Sequence, residues 1–259
     1  MELKDLLYET RTQAAWITLN RPRLLNALSA EMLTSIRSAY EAAAGDHDVR
    51  AVVMTGAGRG FCAGADIHVM DGASLESFRA FLLPFTELCT LIRNFPKPTI
   101  AAINGVAVGG GFELTLVCDF RIVARSATIG SHEVNINQPM TNGSTYLLPR
   151  LIGEGRAKWL GMTGEIIGAE EAERIGLVNS VVEDQRLTSA VEELVAKLVT
   201  VGPIAVTRVK QCFARNRDVD VDMAVIFENE AATRCFVSAD QQEGLRAFLE
   251  KRKPRWSGC

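Results

Sequence analysis

The chain has 259 residues, 47% of them hydrophobic and 23% charged, an ordinary balance for a globular protein of one or two domains. Its net charge of −3 provides no general basic field and so argues against nucleic acid as a partner. The six cysteines (Cys62, Cys89, Cys118, Cys212, Cys235 and Cys259) form no C-x-x-C pair, and three histidines supply no zinc constellation.

The chain opens on Met1-Glu2-Leu3-Lys4-Asp5, which has acids and no apolar signal core. No run is long and apolar enough to span a membrane, and scattered thiols fit a reducing compartment, so the expectation is a cytoplasmic protein. Residues 14–19 read as a strand. Ser29 reads as the N-cap of a helix through about Ala44, with Met32, Leu33, Ile36 and Tyr40 at helical spacing. A strand at 50–55 leads into a first glycine segment, Gly60-Phe61-Cys62-Ala63-Gly64-Ala65-Asp66. A helix from about Ser74 to Asn94 ends before Pro96 and Pro98. A strand at 99–103 leads into a second glycine segment, Gly109-Gly110-Gly111-Phe112-Glu113, and a short helix from about Gly111 to Val117. A strand follows at 120–124. This alternation predicts an α/β fold built on a largely parallel sheet.

From about residue 143 the pattern turns mostly helical. Short helices are expected at 153–160 and 169–172, an edge strand at 178–182, and long helices near 186–200, 203–215, 219–236 and 239–250. The last carries a capping-box pattern, Ser238-x-x-Gln241. Gly202-Pro203 marks the cleanest boundary, dividing a core of residues 1–200 from a helical region of residues 201–259. The basic run Lys251-Arg252-Lys253-Pro254-Arg255 reads as a solvated tail.

Each glycine segment ends a strand with backbone free of bulky side chains, which lets amide N–H groups approach a ligand. Two such amides converging on one point would make a hole for a negatively charged oxygen. A nucleotide-binding reading fails on spacing. Gly56-x-Gly58-x-Gly60 lacks the third spacing of G-x-G-x-x-G, Phe61 stands where the last glycine would be, and no P-loop pattern occurs.

The ordered set of motifs resembles the crotonase superfamily, the enoyl-CoA hydratase/isomerase group. It comprises Leu19-Asn20-Arg21-Pro22, Asn26-Ala27-Leu28, both glycine segments, residues 97–105, Cys118-Asp119, residues 148–153 and residues 243–252. The resemblance implies a crotonase-like spiral of β-β-α units. It also implies a C-terminal helical region that forms trimers, often paired into hexamers. The implied substrate is an acyl-CoA thioester, with no cofactor beyond the coenzyme A that the substrate carries. By position, the implied oxyanion donors are the N–H groups of Ala63 and Gly110. The implied contacts to the acyl-CoA are Arg23, Leu24 and Ala27 at the nucleotide end, then Gly64, Ala65, Asp66 and Ile67 along the acyl channel. Phe248 and Lys251 are further implied contacts to coenzyme A, either its own or that of a neighbouring subunit.

Adding water to a double bond conjugated with a thioester needs a water activated for C3 and a proton delivered to C2, work that two carboxylates can share. Glu113 and Glu133 match the two glutamates of the family's hydratases, the first handling water and the second the C2 proton. The segment Asn137-Gln138-Pro139-Met140-Thr141-Asn142-Gly143-Ser144-Thr145 departs from the family pattern, because Thr141 replaces a glycine whose amide helps to position the water. This predicts either a pocket altered for a branched, cyclic or functionalised acyl group, or a water site weak enough for isomerisation to dominate. The leading expectation is an enoyl-CoA hydratase. The rivals are a double-bond isomerase or another thioester-enolate reaction, and a catalytically silent acyl-CoA binder.

Overall fold

The computed structural model describes residues 3–259, the side chains at 69 and 70 excepted; Met1 and Glu2 of the opening stretch lie outside it. The chain begins with β1 (Leu6–Arg11), β2 (Ala14–Leu19), α1 (Ala30–Gly45), β3 (Ala51–Gly56) and β4 (Gly60–Cys62). It continues with α2 (Ile67–Met70), α3 (Leu75–Arg93), β5 (Thr99–Ile103), β6 (Val106–Val108) and α4 (Gly110–Val117). Then come β7 (Phe120–Ala124), β8 (Thr128–Gly130), α5 (Ser144–Ile152), α6 (Glu154–Thr163), β9 (Ile166–Gly168), α7 (Ala169–Arg174) and β10 (Ser180–Val182). Four helices close it: α8 (Leu187–Val199), α9 (Pro203–Arg215), α10 (Val221–Phe236) and α11 (Ala239–Leu249).

The strands form two sheets. The larger has the order β1-β2-β3-β5-β7-β10 and is parallel apart from the β1–β2 hairpin; the smaller has the order β4-β6-β8-β9. Successive pairs β3/β4, β5/β6 and β7/β8 each give one strand to each sheet, so the chain winds as a spiral of β-β-α turns. The smaller sheet adds to the expectation that each glycine segment follows a strand of the larger sheet: one of its strands lies inside the first segment and another just before the second. Gly60–Cys62 and Val106–Val108 are themselves strands, each three residues long and too short to show a period.

Alternation explains the layering. Successive side chains of a strand point to opposite faces. Ala15, Ile17, Leu19, Val52, Met54, Ala101 and Ile103 enter one apolar core with α1, while Ala14, Trp16, Ala51, Val53, Ile100 and Ala102 enter a second. Helix α8 covers that second face with Leu187, Val191 and Val195, spaced by four residues along one stripe. Ser29 caps α1 by accepting from the Met32 N–H at 3.2 Å, and Ser238 caps α11 by accepting from Gln241 at 3.1 Å.

Among the described residues, neither core takes a residue beyond Val199. Helix α9 is instead tied down by polar contacts. Lys210 Nζ donates to Asp119 at 2.7 Å, and the Thr207 hydroxyl donates to the Pro96 carbonyl at 2.7 Å. Asp119 also accepts from the Thr99 N–H and hydroxyl, which gives Cys118-Asp119 a structural task at the start of β5. The C-terminal basic run is not a free tail. Arg252 pairs with Glu243 and Glu250, and Trp256 packs beside Gly202 and Gly244 with its Nε1 on the Thr200 carbonyl.

Candidate active site

The two glycine segments meet. Gly64 has φ +94, and a Cβ there would lie 3.1 Å from the Gly110 nitrogen and 3.4 Å from the Gly109 Cα. A Cβ on Gly111 would lie 2.0 Å from the Cys62 carbonyl oxygen, far closer than carbon and oxygen can approach without bonding. Only glycine allows backbone to approach backbone this closely.

Their donors fall out differently from the expectation. The N–H of Ala63 is already spent on the Leu25 carbonyl at 2.9 Å, so Ala63 is not a donor to an oxyanion, and that expectation is corrected. Residues 64–66 form a parallel bridge with Leu28: the Leu28 N–H donates to Gly64 at 2.8 Å and the Asp66 N–H to Leu28 at 3.0 Å. In such a bridge the N–H of the residue between, Ala65, points away from Leu28. No acceptor among the described residues takes the N–H of Ala65 or of Gly110. Gly110 is buried in the first turn of α4, and a buried backbone donor without a partner is rare in folded proteins.

Glu113 follows on the same helix turn, its N–H bonded to the Gly109 carbonyl at 3.0 Å. All eight residues of α4 are buried, and the Glu113 side chain goes with them at 2% exposure. A carboxylate there must be hydrogen-bonded. It is: the Thr141 N–H and hydroxyl and the Asn142 Nδ2 all donate to it, the last at 2.6 Å. Burial pushes its pKa above the ordinary carboxylate value. The Thr141 and Asn142 donors oppose that shift, and the charge of Glu133 adds to it.

Glu133 begins the 3-10 turn Glu133–Ile136 after β8. It accepts from the hydroxyl of Ser131, a residue fully buried at 0% exposure. Its Oε1 lies 3.5 Å from where a Gly109 Cβ would stand, and the His132 Cε1 lies 3.6 Å from the same point. Gly109 is therefore beside Glu133 and one helix turn before Glu113, and both acids sit against the glycine junction. His132 lines that wall, with a buried Nδ1 that has no partner among the described residues.

The 21–28 loop runs alongside. Asn26 is fully buried, with Nδ2 on the carbonyls of Ala57 and Gly60 at 3.0 and 2.8 Å, and Oδ1 accepting from the Arg21 N–H at 2.8 Å. These bonds hold Leu25 and Asn26 at φ 47 and φ 58, which a bulky leucine does not adopt unaided. Arg23 and Leu24 stand exposed on this loop, and Ala27 is half-buried beside Leu28, which bridges to the first glycine segment. Asp66 is a further correction. It is 7% exposed, pairs with Arg21 at 3.0 Å and caps α2 through the His68 N–H at 3.1 Å, so its carboxylate is spent on structure. Ile67 next to it is exposed at 67%. Phe248 and Lys251 are exposed near the C-terminus.

Sequence reasoning missed Ser131, Asn142 and Thr86. The first two lie within two residues of residues already singled out. Thr86 is 56 positions from Asn142 and carries no signal of its own, yet its hydroxyl donates to Asn142 Oδ1 at 2.8 Å.

The comparisons agree with this geometry. The profile of the family described as enoyl-CoA hydratase/isomerase matches residues 9–259. A short-chain-enoyl-CoA hydratase of Clostridium acetobutylicum is 40% identical over 254 residues, covering 98% of this chain and 97% of that one. A crotonyl-CoA hydratase of Syntrophomonas wolfei is 40% identical over 254 residues, covering 98% of each. The crystal structure of an enoyl-CoA hydratase from Bacillus anthracis superposes with a TM-score of 0.96 at 38% identity, covering 99% of this chain and 100% of that one. A shared profile, full-length relatives and a shared spiral fold lead to one conclusion: this chain belongs to the enoyl-CoA hydratase/isomerase family.

Proposed function

We propose that the protein is an enoyl-CoA hydratase that adds water across the 2,3 double bond of a 2-enoyl-CoA thioester to give a 3-hydroxyacyl-CoA. The observation that carries the reading is the pair of unpartnered N–H groups, Ala65 and Gly110, beside two carboxylates at one glycine junction. The thioester oxygen accepts from both amides. Glu113 takes a proton from water as the water oxygen bonds to C3. The π electrons move toward the thioester oxygen, where the amides stabilise the enolate, a contribution on the order of 3 kcal/mol per donor. Glu133 then delivers a proton to C2. The proton gained by Glu113 and the one lost by Glu133 are rebalanced through solvent, and the reverse reaction exchanges the roles. No cofactor enters these steps.

Arg23, exposed on the loop that Asn26 braces, supplies a cation for a phosphate of coenzyme A; Leu24, Ala27, Gly64 and Ile67 line the path inward. Thr141 contributes to that pocket through Glu113. We further propose assembly of copies as trimers, or trimers paired into hexamers, through the C-terminal helices. Phe213, Val221, Ile226, Phe236, Phe248 and Leu249 leave a large apolar surface uncovered there. Sedimentation should give a trimeric or hexameric mass, and a monomer at micromolar concentration would refute it. The six cysteines are all free, and burial holds Cys62 and Cys118 near pKa 12 as inert thiols, which supports a reducing, cytoplasmic setting. No described helix is long and apolar enough to cross a membrane.

A panel of crotonyl-CoA with longer, branched and cyclic analogues tests the reaction. Hydration removes the absorbance of the conjugated thioester and yields a 3-hydroxy product. Relocation of the double bond without water would make it an isomerase, and binding without turnover would make it a silent acyl-CoA binder.

A further inference from the structure

The amide of Asn142 has two unlike edges, and only its NH2 edge can meet an ionised carboxylate. Nδ2 lies 2.6 Å from Glu113 Oε2 and 3.0 Å from Thr141 Oγ1. The oxygen edge is thereby turned toward α3, where the Thr86 hydroxyl donates to it at 2.8 Å. The backbone serves the same end. Asn142 sits at φ 54, a left-handed conformation that asparagine tolerates better than most residues, and Gly143 follows at φ 83. The turn folds back so that the Thr141 N–H and the Asn142 side chain address one carboxylate.

Counting acceptor sites gives the consequence. An ionised carboxylate offers about four lone-pair positions. The Thr141 N–H, the single Thr141 hydroxyl proton and one Asn142 N–H occupy three of them, so about one remains open. We propose that Asn142, oriented by Thr86, is a positioning residue that locks Glu113 with one acceptor site open, restricting it to a single water and leaving the C2 proton to Glu133. This rests on Glu113 as the water-activating base. The charged and titratable groups at the site around Glu113 are Glu133 on the 3-10 turn after β8 with His132 beside it, and Cys89 on α3, with Arg93 one turn beyond Cys89. Thr86, Thr141 and Asn142 are uncharged, so their hydrogen bonds offset the burial of Glu113 without adding a titrating group.

The test uses Asn142→Ala, Thr86→Val and Thr86→Ser with two readouts. One is the pH dependence of kcat/KM for hydration of crotonyl-CoA. The other is exchange of the C2 protons of butyryl-CoA in heavy water, which needs Glu133 and the two amides but no attacking water. Asn142→Ala should slow hydration by about ten- to a hundred-fold, the range for losing a hydrogen bond to a charged group. It should also move the acidic limb of the profile to higher pH, because losing a donor to the carboxylate favours its protonated form. C2 exchange should stay near the parental rate. Thr86→Val should move the limb the same way by less, and Thr86→Ser should restore it. Should Asn142→Ala fail to fold, the exposed Thr86 pair carries the test alone. Equal loss of hydration and exchange with an unmoved pH limb would reduce Asn142 to a structural role. Unchanged hydration in both Asn142→Ala and Thr86→Val would also overturn the proposal. The underlying reading fails separately, if Glu113→Gln keeps its hydration rate.

Discussion

Glu113→Gln should lower hydration of crotonyl-CoA by about a thousand-fold, within the range for removing a general base. The amide can neither take a proton from water nor accept the Thr141 and Asn142 donors with both of its atoms, since its NH2 is itself a donor. The fold should survive. Burial penalises the charged form of Glu113, so a neutral side chain of the same shape relieves one cost while losing charge-assisted hydrogen bonds. The thermal midpoint should therefore stay within a few degrees of the parent, and butyryl-CoA should bind with similar affinity. In the parent the pH profile carries the complementary signature. Glu113 works as the carboxylate, and its pKa lies above the ordinary range, so activity should fall as pH drops through that raised value. Turnover by Glu113→Gln within tenfold of the parent would remove this residue from the chemistry.

Gly111→Ala should damage both stability and turnover, against what helix propensity alone predicts. Replacing glycine by alanine inside a helix is ordinarily worth about 1 kcal/mol of stabilisation. Here the new methyl would stand 2.0 Å from the Cys62 carbonyl oxygen and 2.7 Å from its carbon, with backbone on the far side rather than a side chain that can rotate away. The first glycine segment must move off α4. We expect a loss of about 1–3 kcal/mol in chemical denaturation, the usual cost of overpacking. Because that movement separates Ala65 from Gly110, kcat/KM should fall by about a hundred-fold in molecules that remain folded, the scale for losing an oxyanion donor. A raised melting temperature with normal turnover would show that the two segments are not held as tightly as their geometry requires.

The long helices and the larger sheet were legible because each buries a wide apolar face, which imposes a regular period. Met32, Leu33, Ile36 and Tyr40 on α1, and Leu187, Val191 and Val195 on α8, spell that period out. The smaller sheet was not legible. Three-residue strands contribute no repeat, and Gly60–Cys62 is a strand only because Val106–Val108 lies beside it. Helix α4 was expected at nearly its observed bounds, but its complete burial was not legible: it is enclosed on every side, so it has no polar face to show a phase.

The candidate site divides along the same line. Residue types and their order along the chain suffice for the fold family, for glycine at positions of close backbone approach, and for the two glutamates. Each of these is a property of one residue or of a short run. Which amide is free is a different kind of fact. Ala63 and Ala65 are the same residue two positions apart, and only the Leu25 carbonyl, brought alongside by the bend that Asn26 braces, decides that Ala63 is spent and Ala65 is not. Asp66 is likewise claimed by Arg21, 45 positions earlier, and Glu113 by Thr141 and Asn142, 28 and 29 positions later. The sequence by itself determined which groups the protein has to work with. The tertiary structure alone decided which are already committed, because a hydrogen bond depends on where two distant segments meet in space.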